Sequence, residues 1–287
     1  MTGDLDALVL AAGDRPVRSH VALVSTEAAA LAWAREGASH GAVVLAGYQA
    51  SPRGRAGLVW SPDPQRSLLC SVVLRPGWPA EHEGWTYVAV AEALASGLAD
   101  AGHPQPWHRW PDEVTPAGDG GAPALARFGV VSEVTPRGVG WVVVNVWLDA
   151  PPAGPAPAPA LLATVLPALD AVRSPAPGEA TREHEVTSAA TNAAEDPDAV
   201  RAAYRRRCRT LGRRVRARML PMGTSGPVVE GRAADVGRDG SLVVEGADGR
   251  RLALRPQSLG TLEELDSEAG DEGSDPGTAG PRGPGPG

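Results

Sequence analysis

The sequence predicts an α+β fold, in which a mixed-sheet domain carrying helices is followed by a small β-barrel. Three observations point to it. Helical and β-branched stretches are mixed from residue 18 to 209, with hairpins as well as crossovers. From Thr210 the character changes to four or five short strands in about fifty residues. Within the first region lie an Ala/Pro spacer at 150–160 and a polar, small-residue loop at 174–197, expected to be extended and flexible.

Taken in order, residues 1–17 are expected to be a loosely held arm, and His20 to Val24 the first strand. Ser25-Thr26-Glu27 offers an N-cap hydroxyl to an Ala/Leu/Trp helix that runs to about Arg35. Ala42 to Ala46 and Ser67 to Leu74 read as buried strands, the second ended by Arg75-Pro76-Gly77. In Trp85 to Ala101, Val88, Ala91, Leu94, Ala95 and Leu98 recur at helical spacing, and Gly102 stops the helix. Pro104 to Glu113 is a short strand or turn dense in aromatics and prolines. Arg127 to Val134 and Val139 to Leu148 form a hairpin across Pro136-Arg137-Gly138. Leu161 to Val172 and the basic stretch Asp198 to Arg209 are helices.

The barrel is assigned to 210–262. Leu211 to Met219 alternates apolar and basic residues as a half-exposed strand does, and Asp239-Gly240 and Asp248-Gly249 are placed as hairpin turns. The Gly-, Pro-, Asp- and Glu-rich stretch 263–287 reads as a disordered acidic tail.

The chain has 287 residues and a net charge of −7, which argues against a general nucleic-acid binder, so no DNA partner is expected. All 27 basic side chains counted as Lys or Arg are arginine, so any chemistry here proceeds without a lysine. Cys70 and Cys208 stand far apart in apolar or helical contexts and read as buried thiols of a reducing compartment. The apolar run Leu8 to Ala12 is too short for a signal peptide, and no stretch reaches the ~18 apolar residues of a membrane span. A soluble, cytoplasmic protein is expected. The arginine-rich run Arg205 to Arg218 reads as a solvated helix and strand edge, or as a docking face for an acidic partner.

One stretch suggests chemistry. In Tyr48 to Pro62 two guanidiniums, Arg53 and Arg55, alternate with Gly54 between apolar runs, the pattern of an anion-binding loop between strands, although a solvated surface loop has the same composition. On residue type alone Ser25 and Thr26 serve equally as a helix cap, Gln49 as a loop amide and Trp60 as core. Asp112 and Glu113 form an exposed acidic turn or a Mg²⁺ ligand pair.

The order of these features resembles the biotin protein ligases over roughly residues 18 to 262. The family loop G-R-G-R-R-G-R, followed by a Trp two residues on, aligns with Pro52-Arg53-Gly54-Arg55-Ala56-Gly57-Leu58 and Trp60. The K-W-P-N-D motif aligns with Arg109-Trp110-Pro111-Asp112-Glu113, so Arg109 replaces its lysine. Leu125 to Glu133 matches the family's Gly-containing strand at Gly129 and Glu133, and Trp141 to Asn145 keeps the Asn of Gly-x-Gly-x-Asn without its glycines. Tyr204 to Leu254 resembles the SH3-like domain that closes these ligases. With only about twenty residues before the domain, the chain is similar to the class lacking a DNA-binding winged helix.

The resemblance implies a biotin/lipoate ligase-like catalytic domain that uses biotin and ATP, with Mg²⁺ accompanying ATP, to form biotinyl-5′-AMP. The biotin then passes to a lysine on the biotin carboxyl carrier domain of an acetyl-CoA or acyl-CoA carboxylase. It implies Ser25, Thr26, Gln49, Arg53 and Trp60 as biotin contacts, and Arg53, Arg55, Gly57 and Asn145 as nucleotide contacts. It implies Arg109 and Arg55 as the catalytic cations, and no metal-ligand set is expected. A non-catalytic protein on the same fold, binding biotin, a related acid or a nucleotide, or docking on a carrier domain, is the alternative.

Overall fold

Alternation along one long strand decides which helix covers which face of the main sheet. In β7 (Gly138–Asp149), Val142, Val144, Val146 and Leu148 belong to the large core, which also holds the buried faces of α3 (Trp85–Asp100) and α4 (Ala158–Asp170). Trp141 and Val143 point the other way and pack with Ala30 and Ala34 of α2 (Thr26–Arg35). The computed structural model describes residues 5–118, 122–151, 154–173, 197–220 and 226–265.

The main sheet has seven strands in the order β1-β2-β3-β7-β6-β5-β4. They are β1 (Val17–Leu23), β2 (Ala42–Gln49), β3 (Ser67–Leu74), β4 (Trp107–Arg109), β5 (Glu113–Thr115), β6 (Ala126–Thr135) and β7. Only β1 and β2 are parallel; the other neighbours are antiparallel, which makes the sheet mixed, as expected. Helix α3 is buried almost all round, and Gly97 lets α4 approach it: a Cβ there would lie 2.7 Å from Val165 Cα.

The arm expected at 1–17 is not loosely held over its described residues, which begin at Leu5. Leu5–Ala11 forms α1, and Leu8 (1% exposed) and Ala12 (0%) enter the large core, because this short amphipathic turn finds a tertiary partner that its own length does not announce. The first strand accordingly starts at Val17, three residues before the expected His20. The spacer is not wholly unpacked either, since Ala156 is buried in the same core. Of the loop expected at 174–197, residues 174–196 lie outside the described residues, and Pro197 already opens α5 (Pro197–Arg207).

After α5 comes a five-stranded antiparallel sheet, ordered β11-β10-β9-β8-β12. Its strands are β8 (Arg214–Met219), β9 (Val228–Val236), β10 (Leu242–Glu245), β11 (Arg251–Leu254) and β12 (Leu259–Leu265). The alternation foreseen in β8 is present, with Val215 and Ala217 buried and Arg214 and Arg216 exposed. Gly240 and Gly249 take the left-handed φ values (76° and 77°) that their hairpin turns require. The tail assigned to 263–287 begins too early: β12 continues through Leu265, because Glu263 and Glu264 pair with Arg216 and Val215 of β8. Residues 266–287 lie outside the described residues.

Polar contacts tie the small sheet to the large one. The Trp110 indole N–H donates to Gly240 O (3.0 Å), its backbone N–H donates to Thr210 Oγ1 (3.1 Å), and Arg209 N–H donates to His108 O (2.9 Å). His108 is fully buried, meets Glu92 at 2.7 Å and stacks on Tyr204 with ring centroids 4.5 Å apart. Burial alone would raise the Glu92 carboxyl; His108 and Arg207 overcome this and hold it below the usual range. Much of the basic run is thus spent on internal pairing, with Arg205 on Asp235, Arg207 on Glu92 and Arg216 on Glu230.

Both cysteines are free and buried, as expected, and burial pushes their thiols up, to about 12 for Cys70 and about 11 for Cys208. No helix among the described residues is long and apolar enough to cross a membrane.

Candidate functional site

A chain of buried polar groups crosses the α2 face of the main sheet. Gln49, at the end of β2, presents Oε1 to the Thr26 backbone N–H (2.9 Å) and hydroxyl (3.2 Å). The Thr26 hydroxyl meets Ser71 Oγ at 2.8 Å, and Ser71 donates to Asn145 Oδ1 at 2.8 Å. Asn145 Nδ2 in turn donates to Glu27. β-Strand register explains the cluster, since Ser71 and Asn145 are direct cross-strand partners and Asn145 faces Gly129 on its other side. Ser25 caps α2 by accepting from Glu27 N–H (3.1 Å).

One donor in this cluster is unspent: Gln49 Nε2 is buried without a hydrogen-bond partner among the described residues. An orphan buried amide N–H costs about 1–3 kcal/mol, so a ligand carbonyl that accepted from it would gain that much. Burial raises the Glu27 carboxyl, while Asn145 and the nearby Arg53 charge pull it back.

Beside the cluster the β2–β3 loop folds down onto β6. Gly129 makes this possible, because a Cβ on it would lie 2.5 Å from Gly54 C and 2.6 Å from Arg55 N. Gly54 is needed for the same reason, its position being covered by the Trp60 indole. Trp60 meets Trp147 edge to face, with centroids 5.7 Å apart. Arg53 turns back on the loop and donates to Gly57 O (3.0 Å), and Gly57 adopts φ +74° at the exposed outer bend.

The loop forms one wall of a cleft of about 570 Å³, whose other walls are the Arg109-to-Glu113 turn and β12. Arg55 lies at its floor, 6% exposed. Its Nε donates to Asp112 (2.9 Å), one terminal nitrogen to Leu259 O and the other to Gly260 O (3.3 Å). Across β4, β5 and β6 the register places Arg109, Glu113 and Arg127 in one row, with Trp147 of β7 next. Glu113 accordingly takes Arg109 (2.9 Å) on one side and Arg127 (2.8 Å) on the other. Arg127 also lies over the Trp147 ring at 4.9 Å, and Glu264 of β12 approaches Arg109 Nε at 3.7 Å.

The site residues named from sequence therefore fall into three places. Thr26, Gln49 and Asn145 share the polar cluster, beside the cap Ser25. Arg55, Arg109 and Trp60 line the cleft, whereas Arg53 and Gly57 occupy the loop's outer bend. Asp112 and Glu113 are no exposed turn, being only 23% and 20% exposed and engaged by arginines. Among the described residues no three His, Cys, Asp or Glu side chains gather as a metal site.

Sequence reasoning missed Ser71, Arg127, Trp147 and Glu264. The first three had a signal in strand alternation, since each shares a face with Gly129 or Asn145; Glu264 had none, because its place depends on how the second sheet docks.

No protein-family model matches the chain. Over 95 residues it is 30% identical to the bifunctional ligase/repressor BirA of Bacillus subtilis, a match spanning 33% of this chain and 29% of that protein. The chain thus spans less than a third of the curated relative it matches. Among solved structures it is similar to a biotin protein ligase from Aquifex aeolicus in complex with biotin and ATP (TM-score 0.61, 13% identity, 87% of this chain and 99% of that one). It is also similar to a biotin protein ligase-like protein of unknown function from Silicibacter (TM-score 0.54, 14% identity, 85% and 95%). A third is biotin acetyl coenzyme A carboxylase synthetase from Helicobacter pylori with bound biotinylated ATP (TM-score 0.52, 14% identity, 84% and 100%). In fold the chain is similar to these biotin protein ligase structures, and over those 95 residues it is similar in sequence to BirA.

Proposed function

We propose that the protein is a biotin–[biotin carboxyl carrier protein] ligase, activating biotin with ATP to biotinyl-5′-AMP and passing the biotin to a carrier lysine. The observation that carries this reading is the polar cluster with its unspent Gln49 amide, linked to an arginine-lined cleft through Gly129, which pairs with Asn145 and packs under Gly54 and Arg55. A cyclic urea supplies what the cluster lacks: a carbonyl to accept from Gln49 and N–H groups for Glu27 or the Thr26 hydroxyl. Ser25 and Thr26 hold this end through the start of α2, while Trp60, packed on Trp147 two residues along β7 from Asn145, offers an apolar surface beside it and Arg53 supplies charge at the loop.

Adenylation sets a carboxylate in line with an α-phosphate and develops negative charge at the transferred phosphorus. Arg109 and Arg127 are the side chains for that charge, with Asn145 and the loop around Arg55 and Gly57 framing the nucleotide. Asp112 and Glu113 are committed to arginines, so Mg²⁺ is assigned to the triphosphate and not to a protein cage. The test is incubation of the purified chain with biotin, Mg-ATP and a carrier domain. Pyrophosphate release with biotin on the carrier is expected; release of neither rejects the ligase.

A second reading has one observation in its favour. Arg109 stands where the family motif has lysine, and a planar guanidinium held by Glu113 is not interchangeable with a mobile ammonium at a tight junction. On that reading the protein binds biotin or a related acid without activating it, and biotin binding by calorimetry without pyrophosphate release is its signature.

A further inference from the structure

The cleft is electrically balanced. Three arginines line it, Arg55, Arg109 and Arg127, together with three carboxylates, Asp112, Glu113 and Glu264. Every arginine is engaged: Arg55 with Asp112, Arg109 with Glu113 and Glu264, and Arg127 with Glu113. A site that attracts a polyphosphate by its field carries an excess of positive charge, and here the nearest charges cancel.

Glu264 differs from the other two acids. Asp112 and Glu113 sit in the main-sheet turn at 2.8–2.9 Å from their arginines, whereas Glu264 arrives from β12 of the other sheet and reaches Arg109 only at 3.7 Å. Its carboxylate is fixed independently: Thr210 donates to it at 3.0 Å and is itself held by the Trp110 backbone N–H at 3.1 Å. A ligand that draws Arg109 away therefore leaves Glu264 in place, facing the ligand as an unneutralised negative charge.

We infer that Glu264 is a specificity-determining residue that makes this cleft disfavour nucleotides in proportion to their negative charge. The inference rests on the nucleotide-binding reading above and refines its ligand class: a singly charged acyl-adenylate or a nucleoside monophosphate suits the closed cleft better than a free triphosphate. Repulsion from a fixed carboxylate grows with each added phosphate, while contacts to the nucleoside stay constant.

The experiment titrates AMP, ADP and ATP into the full chain without Mg²⁺, following tryptophan fluorescence (Trp60 and Trp110 line the cleft), for the wild type and Glu264→Gln. The wild type is expected to bind AMP at least as tightly as ATP. Glu264→Gln is expected to tighten ATP by about five- to tenfold and AMP by about twofold or less, the asymmetry expected of a removed repulsive charge. A wild type that prefers ATP about tenfold over AMP overturns the inference without recourse to any variant, as does a Glu264→Gln chain that tightens all three nucleotides equally. Failure of both proteins to bind any nucleotide rejects the nucleotide-binding reading itself, and the inference with it.

Discussion

Arg55→Ala is expected to cost about 3–5 kcal/mol of stability, the usual result of removing one partner from a buried ion pair. The substitution strips Asp112 of its guanidinium and leaves the carbonyls of Leu259 and Gly260 without their donor. Burial already raises the Asp112 carboxyl above its ordinary 3.8, with Arg55 the foremost influence pulling it down. Without Arg55 the folded-state value rises further. An acid whose folded value exceeds its unfolded one binds more protons when folded, so its contribution to stability falls as pH rises between the two. The loss in Arg55→Ala is therefore expected to be smaller near pH 4 than near pH 7, as read from urea unfolding of both proteins at each pH. An equal loss at the two values would place the energetics in the carbonyl contacts and not in Asp112.

Gly129→Ala is the second large effect. The added methyl would sit 2.5 Å from Gly54 C, so backbone must move, and the segment free to move is the loop that carries Arg55 and Trp60. Forced overpacking of this kind costs about 1–3 kcal/mol. The functional effect is expected to be larger than the thermal one, because the displaced loop is a wall of the cleft. Limited trypsin digestion checks this: cutting after Arg53 or Arg55 should speed up by about tenfold or more, and binding of biotin and nucleotide should fall together. Unchanged digestion with an unchanged melting temperature would mean that the loop tolerates the methyl where it stands.

What the sequence made legible was local. Ser67 to Leu74 is a strand at the expected bounds because an apolar, β-branched run closed by Arg-Pro-Gly has few other conformations. The two Asp-Gly turns were legible because left-handed backbone at that place nearly demands glycine. Thr26, Gln49 and Asn145 could be named together only through the family resemblance, and register then explains why Ser71 joins Asn145. Long-range partnership was not legible. Nothing near Arg55 in the sequence says that its charge is committed to Asp112 and to carbonyls of β12, and an arginine in a Gly-rich loop looks free for a ligand. Helix α1 was missed for a related reason, since seven residues have no helical stability apart from the core that Leu8 enters.

The Arg55 contacts to Leu259 and Gly260 span 204 and 205 positions, so during synthesis they cannot form until the last described strand has been made. The main sheet can pair as soon as β7 has been made, but the buried guanidinium on its loop then has only Asp112 to meet, and the cleft lacks a wall. Both are supplied by the last strand of the described chain. The polar cluster draws only on residues 26–145, so a chain interrupted before β12 contains every member of that cluster but lacks a wall of the cleft.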